Sequence, residues 1–578
     1  MSTLPSWGAV PTDRGTRFRL WAPGVASLQV RVAGTDHAMQ AEGESWFSAT
    51  LDAPAGTEYL FVLPDGTAVP DPASRRQAGD VHGASVVAEA EHRFRHPHPE
   101  RPWHEAVIYE MHVGTFTPEG TFRAAVAKLD HLVDLGVTAI DILPVAQFGG
   151  RHGWGYDGVL LYCPHEAYGT PQDLAHLVDE AHGRGLKVMM DVVYNHFGPD
   201  GNYIGAYAPG FYDEARHTPW GAAIDYTRAP VRRFAIENAL YWLEHFRIDG
   251  LRMDAIDHVV DPSDPDVLTE MAREIRQRVP DAWLMTEDNR NVTYLHERGE
   301  DGATPLMDGE WNDDWHNAAH VVATDETEGY YGDFADDPVG HLARAVAEGF
   351  AYQGETGPGG EARGKPSGHL PPEAFVNFLQ NHDQVGNRAI GERLTKLAPA
   401  ARLDALQALL LLSPGIPLLF MGEEWGATEP FLFFADFEGD LARAVTEGRR
   451  REFASFVGFE GAVPDPIERS SFEASKLNWA RAEQGDHQDA LARTRELIAL
   501  RLERIAPLLP GTRPHAGRRL HTDREAIAVD WRLGGGLLQV RANFAHHPVA
   551  MPPVSGETIH LTGPTMGAPN STLFAVDA

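Results

Sequence analysis

LKVMMDVVYNH (186–196), PVRRFAIENALYWLEHF (230–246) and IDGLRMDAI (248–256) form one alternation of apolar run, polar loop, amphipathic helix and apolar run. The runs VMM and GLRM lack the polar interleaving of a half-exposed strand. Strands that are apolar throughout are covered on both faces, as in a parallel sheet flanked by helices. The helical segment between them carries apolar residues three and four apart, which turns one stripe toward such a sheet.

Outward from this unit the same alternation repeats. Upstream, AVIYEMHVGTF (106–116) precedes TFRAAVAKLDHLVDLG (121–136), and TAIDILPV (138–145) precedes PQDLAHLVDEAHGRG (171–185). Downstream come AWLMTEDN (282–289), PLMDGEWN (305–312), AFVNFLQNHD (374–383) and IPLLFMGEEW (416–425). Eight such units predict an α/β fold of the (β/α)8 TIM-barrel type over 106–509, closing with the helix 488–508. This span exceeds a bare barrel, so long loops are expected at 197–228 and 324–372. Residues 1–92 instead alternate apolar with polar in TRFRLWAP, SLQVRVAG, SWFSATL and TEYLFVLPDG, the pattern of a β-sandwich. A His- and Pro-rich connector (EHRFRHPHPERPW, 91–103) leads into a linker at 93–105. A C-terminal β-domain is expected at 510–578, with strands AIAVDWRL, GLLQVRANF and ETIHLTG.

The whole chain has 578 residues, with 43% hydrophobic and 23% charged, as in globular proteins. Its formal charge of −34 opposes phosphate backbones and anionic headgroups, so neither nucleic acid nor membrane is an expected partner. The single cysteine, Cys163 in LLYCPH, excludes an intrachain disulfide and reads as a buried structural thiol. The N-terminal stretch shows no basic segment followed by an apolar one. The uncharged run 405–422 is split by Ser413-Pro414-Gly415-Ile416-Pro417 into pieces too short to span a bilayer. A cytoplasmic protein is expected.

In such a barrel the chemistry lies where strands end and βα-loops begin. Those positions hold Asp191, Asn195 and His196, then Arg252 and Asp254, then Glu287 and Asp288. After them come Asp313, Asp314 and His316, and finally Asn381, His382 and Asp383. Taken singly, each acid could be a salt-bridge partner or a turn cap. Together they should converge in one mouth, and a fold tolerates mutually repelling carboxylates mainly for protons, metals or cationic intermediates.

DVVYNH (191–196), GLRMD (250–254), the Glu after the fifth run, and FLQNHD (378–383) resemble, in order, the four signature regions of the α-amylase superfamily of glycoside hydrolases. The resemblance implies Asp254 as nucleophile, Glu287 as general acid/base and Asp383 as transition-state stabiliser. The physical chemistry agrees: a retaining glycosidase needs one ionised and one protonated carboxyl about 5–5.5 Å apart. Arg252, on the strand face of Asp254, should keep that acid ionised; negative charge and burial should keep Glu287 protonated. His196 and His382 are expected to donate to sugar hydroxyls, and Tyr156 in GWGYDGV to offer a ring for stacking. His112 is an open case. Asn195 stands where many α-amylases ligate calcium, but no Asp-rich loop accompanies it. It reads as structural or sugar-facing, with no metal or cofactor expected.

Longer strings narrow the resemblance. WGYDGVLLYCPHEAYG (154–169), DVVYNHFGPDGNYIG (191–205), EWNDDWHNAAHV (310–321), EGYYGDF (328–334), FLQNHDQVGNRAIGERL (378–394) and MGEEWGATEPFLFFADF (421–437) are similar to the maltooligosyltrehalose trehalohydrolases. That group implies cleavage of the α-1,4 bond beside a terminal α,α-1,1-linked trehalosyl unit of maltooligosyltrehalose, with release of trehalose. It also implies functional coupling to a maltooligosyltrehalose synthase. Asp257 and His258 replace the Lys-His of ordinary α-amylases, and Asp313, Asp314, His316 and Asn317 are expected to read hydroxyls, although Asn312 or Asp313 can also cap the helix that follows. Arg252, Gln384 and Asn387 complete the expected substrate-binding set. Glycogen-branching and debranching enzymes share the three acids and remain alternatives. A non-catalytic glucan-binding protein would have no need of them.

Overall fold

Eight parallel strands close into a barrel: β1 (Ile108–Met111), β2 (Ala139–Ile142), β3 (Lys187–Val192), β4 (Gly250–Met253), β5 (Trp283–Thr286), β6 (Gly309–Trp311), β7 (Phe375–Phe378) and β8 (Ile416–Phe420), which pairs back onto β1. The computed structural model describes residues 4–89, 92–299, 302–357, 360, 362–454 and 463–577; residue 91 of the polar connector lies outside them. Every residue of the eight strands is buried. Ile108, Ala139, Met189, Met285, Trp311, Val376 and Leu418 form a core of their own, separate from the larger cluster.

Helices cover the sheet as the periodicity predicts. Pro171–His182 starts on a capping box in which the Thr170 side chain accepts from Asp173 N–H and the Asp173 carboxylate accepts from Thr170 N–H. Ala229–His245 buries Val231, Phe234, Leu240 and Trp242. Two intervals expected as long loops carry structure of their own. Residues 197–228 fold a hairpin of Tyr212–Thr218 and Gly221–Ile224, and 324–372 contains the helix Pro338–Glu348. That helix buries Val339, Leu342, Ala345 and Val346. Its start is marked by Asp337 at the N-cap followed by Pro338, although the Asp337 side chain makes no capping bond.

The N-terminal segment folds into a four-stranded and a six-stranded sheet, with Phe18, Leu20, Val30 and Phe61 fully buried. At the C-terminal end five strands form one sheet, including Ser571–Asp577, which pairs on both sides and was absent from the expected strands. All of its residues but Asp577 are buried, so it lacks the alternation of apolar with polar residues that marks a half-exposed strand. Cys163 is buried, and burial pushes its thiol up to about 12. The run 405–422 divides between the helix Ala400–Leu412 and β8. None of the described helices is long and apolar enough to cross a membrane.

Candidate active site

Barrel register carries the key acids one residue past their strands. Asp254 N–H still donates to Val192 O (3.0 Å), and Glu287 N–H to Met253 O (3.1 Å). The chain then turns at Ala255, whose φ of 38° lies in the left-handed region that side chains avoid. This turn brings Ala255 N–H to Glu287 Oε2 at 3.0 Å. A strained residue thus supplies a main-chain donor to the acid beside it.

Arg252 organises the floor. Its Nη1 donates to Asp191 Oδ2 (2.6 Å) and Asp254 Oδ1 (2.9 Å), and its Nη2 to Glu287 Oε2 (2.5 Å). The guanidinium lies 4.1 Å from the ring centroid of Trp311 and is 0% exposed. Arg252 therefore lies beneath the carboxylates, bonded to three of them. Asn195 Nδ2 holds the opposite oxygen of Asp254, at 2.8 Å from Oδ2 and 2.8 Å from the main-chain O.

Burial pushes Glu287 above the usual carboxyl range; Arg252 opposes the shift and Asp254 adds to it. Burial likewise raises Asp191 to about 7, against the pull of Arg252. Asp383 is raised by burial, opposed by His382 and supported by Glu287. Beneath them sits Asp141, fully buried with neither carboxylate oxygen hydrogen-bonded, and held well above its ordinary value by burial and by Asp191.

His382 and His196 both have protein partners within the site. His382 Nδ1 meets Glu110 Oε1 at 2.5 Å, and its Nε2 faces Asp383 Oδ1 at 3.5 Å. His196 pairs through Nδ1 with Asn195 Oδ1 and through Nε2 with Tyr156 O (3.0 Å). Trp220 of the hairpin stacks on His196 with centroids 4.2 Å apart, while remaining 48% exposed at the rim. Tyr156 presents its ring, but one face is stacked on His382 (5.0 Å) and its hydroxyl donates to Asp191. His112 faces the scaffold, engaged with Thr115 (3.0 Å) and Gly153 O (2.9 Å).

The NDDWHN segment divides along its helix, Asp313–Thr324, capped by Asn312 through Trp315 N–H. Asp313 faces the mouth, where burial, Glu287 and Asp383 raise it to about 8. The next residue turns away. Asp314 accepts from Ala351 N–H (2.9 Å), Tyr352 N–H (2.8 Å) and Asn291 Nδ2 (2.8 Å), and Arg363 sits on its other oxygen at 2.6 Å. His316 is engaged by Leu379 O (2.9 Å) and Tyr331 (3.3 Å), and Asn317 is buried on the same helix. Asp314 and His316 are thus bonded to the loop scaffold, while Asn317 keeps a buried Oδ1 without a hydrogen-bond partner. Gln384 bridges Tyr330 (3.1 Å) and Asp313 (3.4 Å), and Asn387 reaches Asp383 at 3.4 Å. Asp257 keeps one buried oxygen without a partner, and His258 lies 3.9 Å from its other oxygen.

Sequence reasoning missed Glu110, Asp141, Trp220 and Tyr330. A lone acid inside an otherwise apolar strand, as in IYEM and AIDI, is a signal that could have found the first two. Trp220 and Tyr330 reach the mouth only through the hairpin and the 3-10 turn that carry them, and no local pattern announces them. Among the described residues one group of three potential metal ligands comes together, His98, His182 and Asp249. It lies at the opposite end of the barrel, where Asp249 is bonded to His98 (2.9 Å), His182 (2.8 Å) and Val188 N–H (2.8 Å).

Comparison with known proteins adds independent findings. The family model described as alpha amylase, catalytic domain, matches residues 78–208 and 219–448, and one described as a domain of unknown function (DUF3459) matches 514–575. A malto-oligosyltrehalose trehalohydrolase of Deinococcus radiodurans is 44% identical over 507 residues, 86% of this chain and 82% of the relative. Another from Mycobacterium tuberculosis is 38% identical over 575 residues, 96% of this chain and 97% of the relative. The crystal structure of a Salmonella typhimurium protein described as an alpha amylase superposes with a TM-score of 0.97 at 52% identity, covering 100% of both chains.

Proposed function

The chain belongs to the malto-oligosyltrehalose trehalohydrolase family of α-amylase-type glycoside hydrolases, and from that premise we propose how its residues cleave their substrate. The enzyme hydrolyses the α-1,4 bond beside the terminal trehalosyl unit of maltooligosyltrehalose, releasing trehalose and a maltooligosaccharide. One observation carries the residue assignment: a single buried guanidinium, Arg252, holds Asp254 and Glu287 at its two ends. Two carboxyls bonded to one guanidinium are close neighbours, which supports a nucleophile and acid pair.

Asp254 attacks C1. Its oxygens are aimed by Arg252 on one side and Asn195 on the other. Glu287 donates the proton to the departing glycosidic oxygen. Its bonds from Arg252 and Ala255 both fall on Oε2, which leaves Oε1 to carry the proton. Once Asp254 is esterified its charge is gone, the pressure raising Glu287 falls, and the same carboxylate takes a proton from the incoming water. Asp383 faces the positive charge that develops at C1.

Selection of the trehalosyl end falls to Asp257 and Asp313, with His258, Gln384 and Asn387 beside them. The unpartnered oxygen of Asp257 supports this, since a buried acceptor without a donor is costly until a hydroxyl supplies one. The branching and debranching readings are not favoured, because relatives matching most of the chain carry the trehalohydrolase name. We further propose functional coupling to a maltooligosyltrehalose synthase that makes the substrate, and a cytoplasmic location for both. Product analysis tests the reading: maltooligosyltrehalose should yield trehalose, while maltooligosaccharides and amylopectin react far more slowly. Absence of trehalose, or appearance of branched products, would overturn it.

A further inference from the structure

Glu110 has no part in the mechanism above, yet it is buried on β1 directly against the site. Its two oxygens take two donors of His382: the main-chain N–H at 3.0 Å on Oε2 and Nδ1 at 2.5 Å on Oε1. The other ring nitrogen faces Asp383 Oδ1 at 3.5 Å. Ionised carboxylates only accept hydrogen bonds, so an imidazole set between two of them carries hydrogen on both nitrogens. His382 is therefore an imidazolium, fully enclosed, with Tyr156 stacked on it and Trp154 edge-on at 5.6 Å.

The charges facing His382 come from every strand around it. Glu110 and His112 belong to the first strand and its end, Asp141 to β2, Arg252 to β4, Glu287 follows β5, and Asp383 is its own neighbour. Burial works against the cation, as does Arg252, while Asp383 and Glu110 overcome both and hold the ring at about 9.

We propose that Glu110 is a positioning residue for the reaction, clamping His382 so that a fixed cation stands against Asp383. The inference rests on Asp383 stabilising positive charge at C1, as proposed above. Burial and Glu287 both favour the protonated, useless form of Asp383; the imidazolium opposes them. Without the Glu110 charge, His382 holds its proton less tightly, and Asp383, left without that cation, ionises only at higher pH.

The test is Glu110→Gln, which preserves shape and can still accept from His382. Its kcat relative to the parent should be at least tenfold lower at pH 6 than at pH 8.5, where Asp383 ionises unaided, with KM within about twofold. The ¹⁵N resonances of His382, in histidine-labelled protein, should titrate at lower pH than in the parent. A kcat ratio that is flat with pH, with unchanged His382 titration, overturns the proposal. If Glu110→Gln does not fold, Glu110→Asp substitutes for it: the charge remains but retreats from the ring, and the ratio should be about threefold lower at pH 6 than at pH 8.5, a flat ratio again overturning the idea. Asp383→Asn separates the two claims. If that variant is inactive while Glu110→Gln is flat with pH, only the role of Glu110 fails; if Asp383→Asn keeps more than a tenth of parental kcat, the role of Asp383 itself fails.

Discussion

Asn195 grips Asp254 twice, its Nδ2 lying 2.8 Å from both the main-chain oxygen and Oδ2 of that acid. With Arg252 on Oδ1, this leaves Asp254 little rotational freedom. A nucleophile fixed in this way loses no further entropy on reaching its attack geometry. The amide's other end is engaged with His196, so both ends of Asn195 are committed to protein partners.

Asn195→Ala should therefore lower kcat by about tenfold to a hundredfold, since a hydrogen bond to a charged group is worth about 1.5–3 kcal/mol. Exhaustive EDTA treatment of the parent should leave activity intact. Loss on chelation, restored by calcium, would instead assign Asn195 to a metal.

Asp254→Ala and Glu287→Gln should each reduce turnover by more than about a thousandfold while far-ultraviolet dichroism and the melting transition persist. Loss of a nucleophile or proton donor removes a group that acts in the transition state itself. Residual activity above about a tenth of the parent in either variant would sink the assignment.

Cleavage should proceed with retention. Proton NMR in the first minutes of reaction should show the new reducing end of the maltooligosaccharide as the α-anomer. An initial β-anomer would require a single displacement by water and a wider gap between Asp254 and Glu287.

Maltooligosyltrehalose should be cut roughly a hundredfold faster, in kcat/KM, than a maltooligosaccharide of equal length. Two hydroxyl contacts at about 1–3 kcal/mol each are enough for that ratio. Asp257→Ala should shrink the ratio more than it slows hydrolysis of the plain oligosaccharide, whereas Asp314→Asn should act on thermal stability, because Asp314 binds the 351–352 backbone. Equal kcat/KM for both substrates in the parent would refute the specificity.

Asp313 is raised to about 8 in the folded chain, against an unfolded value of about 3.9. The folded state therefore favours the protonated form. Its contribution to stability is full below about pH 4 and is lost as pH rises through about 8. Asp313→Asn removes that loss, so its melting temperature should exceed the parent's by a margin that grows between pH 4 and pH 8 and then levels off. A margin independent of pH would mean that Asp313 ionises normally.

Eight apolar runs, their intervening amphipathic helices and the acids at the run ends were legible along the chain, because strand and helix periods are local properties and a barrel's chemistry follows its strand ends. The role of Arg252 was half legible: its spacing from Asp254 indicated one carboxylate partner, while Asp191 and Glu287 come from neighbouring strands brought into register only by closure of the sheet. Within NDDWHN, residue type alone could not separate Asp313 from Asp314. A helix turns about 100° per residue, so adjacent acids face different surroundings, one the mouth and the other the 351–352 backbone. The same limit hid the clamp between Glu110 and His382, whose partners lie 272 residues apart in sequence. Which distant group meets a buried charge depends on how the strands close, and no local pattern carries that information.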